Sequence, residues 1–185
     1  PPGFTISTAV CSKYYESAKI LPEAVWQDVL KNVERLEKSV NKKFGDTGNP
    51  LLVSVRSGAR VSMPGMMDTI LNLGLNDATT EGLAEISKNP RFAYDSFRRF
   101  IQMYSNVVLG MNSSVLDTEL EDLKDSKKVI NDTDLTAEDL KKLCETFKKR
   151  IFEMTGQKFP MDPLIQLKGA ISSVFESWNT ARAIN

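Results

Sequence analysis

Apolar residues recur along this chain in two rhythms, and the switch between them organises it. Residues 4–8, Phe-Thr-Ile-Ser-Thr, alternate apolar and polar side chains and predict a short strand. Pro22 suits the first turn of a helix, after which Val25, Trp26, Val29, Leu30, Val33, Leu36 and Val40 fall on one side. Gly45, Asp46, Gly48, Asn49 and Pro50 crowd residues 44–50 and predict a turn. It leads into a short apolar run over 51–55, which reads as a buried strand. Beyond it, Pro64-Gly65 signals another turn, and Asp68 is a good N-cap for a helix over 69–75. A further short helix is predicted over 80–87.

From Asn89-Pro90, a cap followed by an N1 proline, the spacing becomes helical throughout. Phe92, Ala93, Phe97, Phe100, Ile101, Tyr104 and Val108 form one such series. The charged stretch 117–128 predicts an exposed helix or a loosely held connection. Thr136-Ala137-Glu138-Asp139 has the form of a capping box ahead of Leu140, Leu143, Phe147 and Ile151, and Gly156 ends that helix. Asp162-Pro163 opens a last helix with Leu164, Leu167, Ile171, Val174, Phe175 and Trp178 inward, and Phe152 and Phe159 are expected in the bundle core. The expected fold is therefore α/β over residues 1–89 and an all-helical subdomain over 90–185, α-rich overall. No internal repeat or low-complexity segment interrupts it.

Composition narrows the function classes. At 185 residues and 41% hydrophobic content, the chain can build one domain or two small subdomains with real cores. Its 24 lysines and arginines balance 24 aspartates and glutamates, so no global field recruits nucleic acid or an anionic membrane. No apolar run approaches the ~18 residues needed to span a bilayer. Cys11 and Cys144 form no metal or redox motif and read as ordinary thiols in a reducing, intracellular compartment. Histidine is absent, which removes histidine general bases, Ser-His and Cys-His pairs and histidine metal ligands. The opening Pro1-Pro2-Gly3, without an initiator methionine, points to a piece of something longer.

Chemistry concentrates where the 51–55 strand ends. Arg56 leaves it as a planar guanidinium fork carried on a rigid element, a form of cation suited to phosphate oxygens. Ser57, Gly58 and Ala59 let a ligand reach backbone N–H groups. Arg60 supplies a second cation, and a helix start at Asp68-Thr69 adds a positive dipole. On chemistry alone two readings stand: a loop that grips an anionic ligand, or a strand, turn and helix with two surface arginines. Met63, Met66 and Met67 are core filler or an adaptable cover. Arg98 and Arg99 read as a solvated helix face.

The run SVRSGARVSMPGMMDTILNLGLND closely resembles the N-terminal nucleotide-binding domain of the pyruvate, phosphate dikinases. PPGFTIST, RFAYDSFRRFIQMY, FPMDP and FESWNTARAI extend the resemblance over nearly the whole chain. The more distant phosphoenolpyruvate synthases and glucan water dikinases carry a looser Val-Arg-Ser-Ser form, and the Gly-Met-Met-Asp-Thr ending favours the first branch. The resemblance implies an ATP-grasp-like first half and phosphate binding by Arg56, Ser57, Gly58, Ala59, Arg60, Gly65, Met66, Asp68 and Thr69. It casts Arg56 in the catalytic role and Gly65 as the swivel of a lid. It further implies ATP, phosphate and pyruvate as substrates, a phosphohistidine on another domain, and a homodimeric full-length enzyme in cytoplasm or an organelle such as a plastid. Arg98 and Arg99 become candidates for docking the phosphohistidine domain. The family's glycine-rich lysine loop and its magnesium-holding acidic segment are missing, so Mg ligands are expected outside this chain and the piece alone is expected to be inactive. The alternative is a helical docking module without nucleotide binding of its own.

Overall fold

The helical rhythm prevails. In the computed structural model, which describes residues 2–58 and 69–177, seven α-helices are found among the described residues. They are α1 (Thr8–Glu16), α2 (Glu23–Val40), α3 (Asp77–Ser87), α4 (Pro90–Val107), α5 (Ser114–Lys127), α6 (Ala137–Thr155) and α7 (Pro163–Ser177), with a 3-10 turn at Asp132–Asp134. Among the described residues four short strands precede α3: β1 (Lys43–Phe44), β2 (Pro50–Leu51), β3 (Val53–Val55) and β4 (Ile70–Leu73). β1 pairs with β2 in parallel, and β3 pairs with β4 antiparallel.

Several boundaries follow from local chemistry. The Asn89 side chain accepts the Phe92 N–H while Pro90 fills the first turn of α4, where its missing donor costs nothing. Thr136 and Asp139 cap each other's backbone at the start of α6, and Gly156 closes that helix at φ +70°. Of the two readings of the charged stretch 117–128, exposed helix or loose connection, the helix holds: it is α5, which buries Leu116 and Leu120 and packs on α6.

Four expectations are corrected. Residues 4–8 form no strand; Thr8 already opens α1. The 51–55 run is interrupted at Leu52, because its first part pairs with β1 and its second with β4. Residues 69–75 are not a helix. Pairing with β3 draws Ile70 to Leu73 into a strand with Ile70 and Leu73 fully buried, and tertiary context overrides local pattern in so short a run. The N-cap role given to Asp68 falls with that helix, and Asp68 itself lies outside the described residues. Finally, Phe152, Phe92 and Leu164 are exposed, so these three are not core.

α4 is the hub. It packs against α3, α6 and β4, and its Phe97, Phe100, Ile101 and Tyr104 are buried. Phe159 meets Phe97, Phe100 and Tyr104 edge-on at ring separations of 5.5–6.4 Å, an arrangement aromatic quadrupoles favour. One connected cluster takes in residues from β4 and from the helices on both sides of Asn89. At the other end α1 is tied to α7 through the Tyr15 hydroxyl, which donates to the Phe175 carbonyl at 2.8 Å.

Candidate functional site at the β3–β4 hairpin

The register that pairs Val55 with Ile70 sets Arg56 and Thr69 at the mouth of one hairpin. Between them, residues 59–68 lie outside the described residues, and with them Ala59, Arg60, Gly65, Met66 and Asp68 as well as Met63 and Met67. Arg56, Ser57, Gly58 and Thr69 are therefore the predicted site residues that the fold brings to one place.

Arg56 is exposed, and among the described residues it makes no ion pair. Arg35 on α2 is likewise exposed and without an ion pair among the described residues, whereas four other arginines are engaged. Arg91 donates to the carbonyls of Leu135 and Asp132, Arg98 and Arg99 bind Asp95, and Arg150 binds Glu119 and Glu153. Next to Arg56, Ser57 is half-buried and Gly58 is exposed, with no atom of the described residues beyond its chain neighbours within 4 Å of where a side chain would begin. A permanent cation, a hydroxyl and accessible backbone thus sit on three consecutive residues at a strand exit. A guanidinium beside accessible backbone N–H groups is chemically able to take an oxyanion through charge-assisted hydrogen bonds. A helix dipole does not assist from residues 69–75, since they include β4. The next helix, α3, begins beyond the far end of β4 and is capped there by Asn76 and Thr79.

The hairpin is anchored from below. Ile70 and Leu73 are fully buried, while Ser54 on β3 faces both Leu71 and Asn72 on β4 because the register slips by one residue. Asn72 takes the left-handed conformation at φ +61°, which asparagine tolerates better than most residues. The N–H of Leu71 donates to the Met103 Sδ on α4 at 3.2 Å. Where β4 ends, Gly74 at φ +106° runs so close to the Leu51 carbonyl that a Cβ would stand 2.9 Å from it. Gln166 on α7 is fully buried and secures this point. Its Oε1 accepts the Gly74 N–H at 2.9 Å, and its Nε2 donates to the Leu75 and Pro160 carbonyls at 2.8 Å each.

Sequence reasoning missed Met103 and Gln166. Gln166 did leave a signal, a polar residue one turn before Ala170 on the buried stripe of α7. Met103 left none, since its role depends on a slip in a strand some thirty residues away.

Arg98 and Arg99 part company. Arg98, 3% exposed, pairs with Asp95 at 2.8 Å and Asp132 at 3.3 Å and donates to Gln102, joining α4 to the connection before α6. Arg99 projects outward and is steadied by Asp95 at 3.0 Å. Burial pushes the Asp95 carboxyl upward, but the two guanidiniums outweigh it and hold the group below the usual carboxylate range.

A cavity of about 430 Å³ opens elsewhere, lined by Asp77, Glu81, Tyr94, Lys141 and Cys144 among others. Its polar groups are paired: the Tyr94 hydroxyl and the Lys141 ammonium both donate to Glu81, and Asp77 takes the Lys148 ammonium. Burial pushes the Cys144 thiol up to about 12, so it is no nucleophile. Among the described residues no group of three or more His, Cys, Asp or Glu is placed to hold a metal ion, and no helix is long and apolar enough to cross a membrane.

Comparison with known proteins bears on the whole chain. A family model described as "Pyruvate phosphate dikinase, AMP/ATP-binding domain" matches residues 17–185. The chain is 54% identical over 185 residues to a pyruvate, phosphate dikinase of Clostridium symbiosum, covering 100% of this chain and 21% of that protein. It is 51% identical over 183 residues to a chloroplastic pyruvate, phosphate dikinase of Flaveria pringlei, covering 99% and 19%. Against a pyruvate, phosphate dikinase of Entamoeba histolytica it is 49% identical over 185 residues, covering 100% and 21%. The chain spans about a fifth of the length of these relatives.

Proposed function

From the premise that this chain belongs to the pyruvate phosphate dikinase AMP/ATP-binding domain family, we propose that its β3–β4 hairpin grips the phosphates of ATP within a larger phosphotransferase. The observation that carries this reading is Arg56: exposed, without an ion pair among the described residues, and held at a strand exit beside open backbone. A guanidinium there can bind two phosphate oxygens at once and neutralise charge that builds on the transferring group. Ser57, Gly58 and Thr69 stand beside it as further donors, and Arg60, Ala59, Gly65, Met66 and Asp68 complete the loop in sequence.

In the intact enzyme the reaction is ATP, phosphate and pyruvate giving AMP, pyrophosphate and phosphoenolpyruvate. The phosphoryl carrier implied by the family resemblance is a histidine on another domain; this chain contains no histidine. We place the Mg²⁺ ligands outside this chain as well, as the resemblance to the family implies. Magnesium bound to ATP would neutralise charge on the β- and γ-phosphates while Arg56 orients them. We read the strand-bearing part, residues 1–89, as a piece of an ATP-grasp-like unit and residues 90–185 as its helical companion; β1 to β4 all fall in the first.

A second reading concerns Arg99. Its guanidinium is exposed and oriented by Asp95, which suits a docking contact for the phosphohistidine domain. One experiment separates the roles: ATP-dependent phosphorylation of the intact protein together with nucleotide affinity. Arg56→Ala is expected to lose both, whereas Arg99→Ala is expected to slow phosphorylation and leave affinity unchanged. Full phosphorylation by Arg56→Ala removes the phosphate grip.

A further inference from the structure

We infer that Met103 is a positioning residue for the phosphate-binding hairpin: its thioether fixes β4 at the bulge and thereby aims Arg56. This inference rests on the phosphate role proposed for Arg56. The reasoning begins with the backbone. In an antiparallel pair each strand residue exchanges N–H and C=O groups with the opposite strand at alternate positions. Between the pairs Val53–Leu73 and Val55–Ile70, β3 contributes one residue, Ser54, while β4 contributes two, Leu71 and Asn72. The extra residue bends the strand and leaves the local ladder broken. Asn72 at φ +61° completes the turn of the bulge, and Leu71, 45% exposed, is pushed out of regular pairing.

The N–H of Leu71 is not left to water. It donates to the Met103 Sδ at 3.2 Å, close for a sulfur acceptor, and Met103 belongs to α4, whose core side is immobilised by Phe97, Phe100, Ile101 and Tyr104. The flexible methionine chain can bring its polarisable sulfur to an irregular backbone as a branched residue could not. The result is a tether from the hub helix to the one point where β4 departs from regular geometry. Ile70 lies next to the tether and pairs with Val55, and Arg56 follows directly. A shift at Leu71 is therefore passed across a single strand pair to Arg56. Bulges re-aim neighbouring side chains, and this one has a dedicated anchor.

The test uses the intact protein with two variants. Met103→Leu keeps the volume and removes the acceptor, while Met103→Gln restores an oxygen acceptor at similar reach. Amide hydrogen exchange at Leu71 and the ATP dependence of phosphorylation are read together. Met103→Leu is expected to speed exchange at Leu71 by about fivefold and to raise the ATP KM by a similar factor, with the melting temperature unchanged. Met103→Gln is expected to bring both back toward the parent. Unchanged exchange in Met103→Leu, or faster exchange with an unchanged KM, overturns the inference. Arg56→Ala run alongside separates the failures. An unchanged KM there overturns the phosphate role and Met103's with it, whereas a raised KM there beside a silent Met103→Leu overturns Met103 alone.

Discussion

Replacing Gln166 with leucine is the sharpest test of how the hairpin is fixed to the helices. The side chain is fully buried and makes three hydrogen bonds, all to backbone: from the Gly74 N–H, and to the Leu75 and Pro160 carbonyls. Leucine fills nearly the same space and satisfies none of them. Each stranded buried backbone group costs about 1–3 kcal/mol, so the three together cost up to ~9 kcal/mol before relaxation. Some recovery is open to the carbonyls, which can turn toward water. The Gly74 N–H has less freedom, because its φ of +106° and the nearby Leu51 carbonyl fix its direction. A net loss of about 3–5 kcal/mol is expected, a large share of the ~5–15 kcal/mol typical of a domain. In urea unfolding this is a fall in midpoint of about 2 M for a slope near 2 kcal/mol per M, with the slope unchanged. Gln166→Glu refines the test. The glutamate still accepts from Gly74 but sets oxygen against two carbonyls, so burial and these contacts raise its folded pKa above the ordinary ~4.3. The variant is therefore least stable at neutral pH and gains stability relative to the parent as pH falls through that raised value. A loss under about 1 kcal/mol in Gln166→Leu, or a Gln166→Glu deficit that grows on acidification, refutes the reasoning.

Two further changes probe other joints. At Gly82 a Cβ would collide with the Thr47 carbonyl oxygen, so Gly82→Ala is expected to lower the urea midpoint even though alanine favours an exposed helix over glycine by about 1 kcal/mol; an unchanged or higher midpoint contradicts the close approach. The Lys127 ammonium and the Thr136 hydroxyl hold the Asp139 carboxyl down at about 2, against an ordinary value of 3.8. Its contribution is thus complete above about pH 4 and lost as pH falls from there toward 2, and in acid titrations followed by circular dichroism Asp139→Asn should lack that component.

Where local chemistry decides, the sequence was readable. Asn89-Pro90, the Thr136–Asp139 box and Gly156 each satisfy or terminate a helix end with residues a few positions away, and all three stand where expected. Residues 69–75 were misread for the opposite reason. A short apolar run such as Ile70 to Leu73 is compatible with helix or strand, and the deciding partner, β3, lies across a long connection. Arg98 shows the same limit. Its adjacency to Arg99 suggested a shared solvated face, but Asp132, 34 residues on, together with Asp95, draws it inside. The placing of Arg56 at a strand exit was readable because a cation followed by small residues after an apolar run is a compact local pattern. Its supports were not, since Met103 and Gln166 act on backbone groups 32 and 92 residues away.

Equilibrium binding of ATP and AMP to the intact protein and to its Arg56→Ala variant goes most directly to the central claim. A guanidinium bound to phosphate oxygens contributes ~1.5–3 kcal/mol, so the variant should bind ATP about 10- to 150-fold more weakly. Its affinity for AMP, which lacks the outer phosphates, should fall far less. Equal losses for the two nucleotides, or an ATP affinity that does not change, contradict the account.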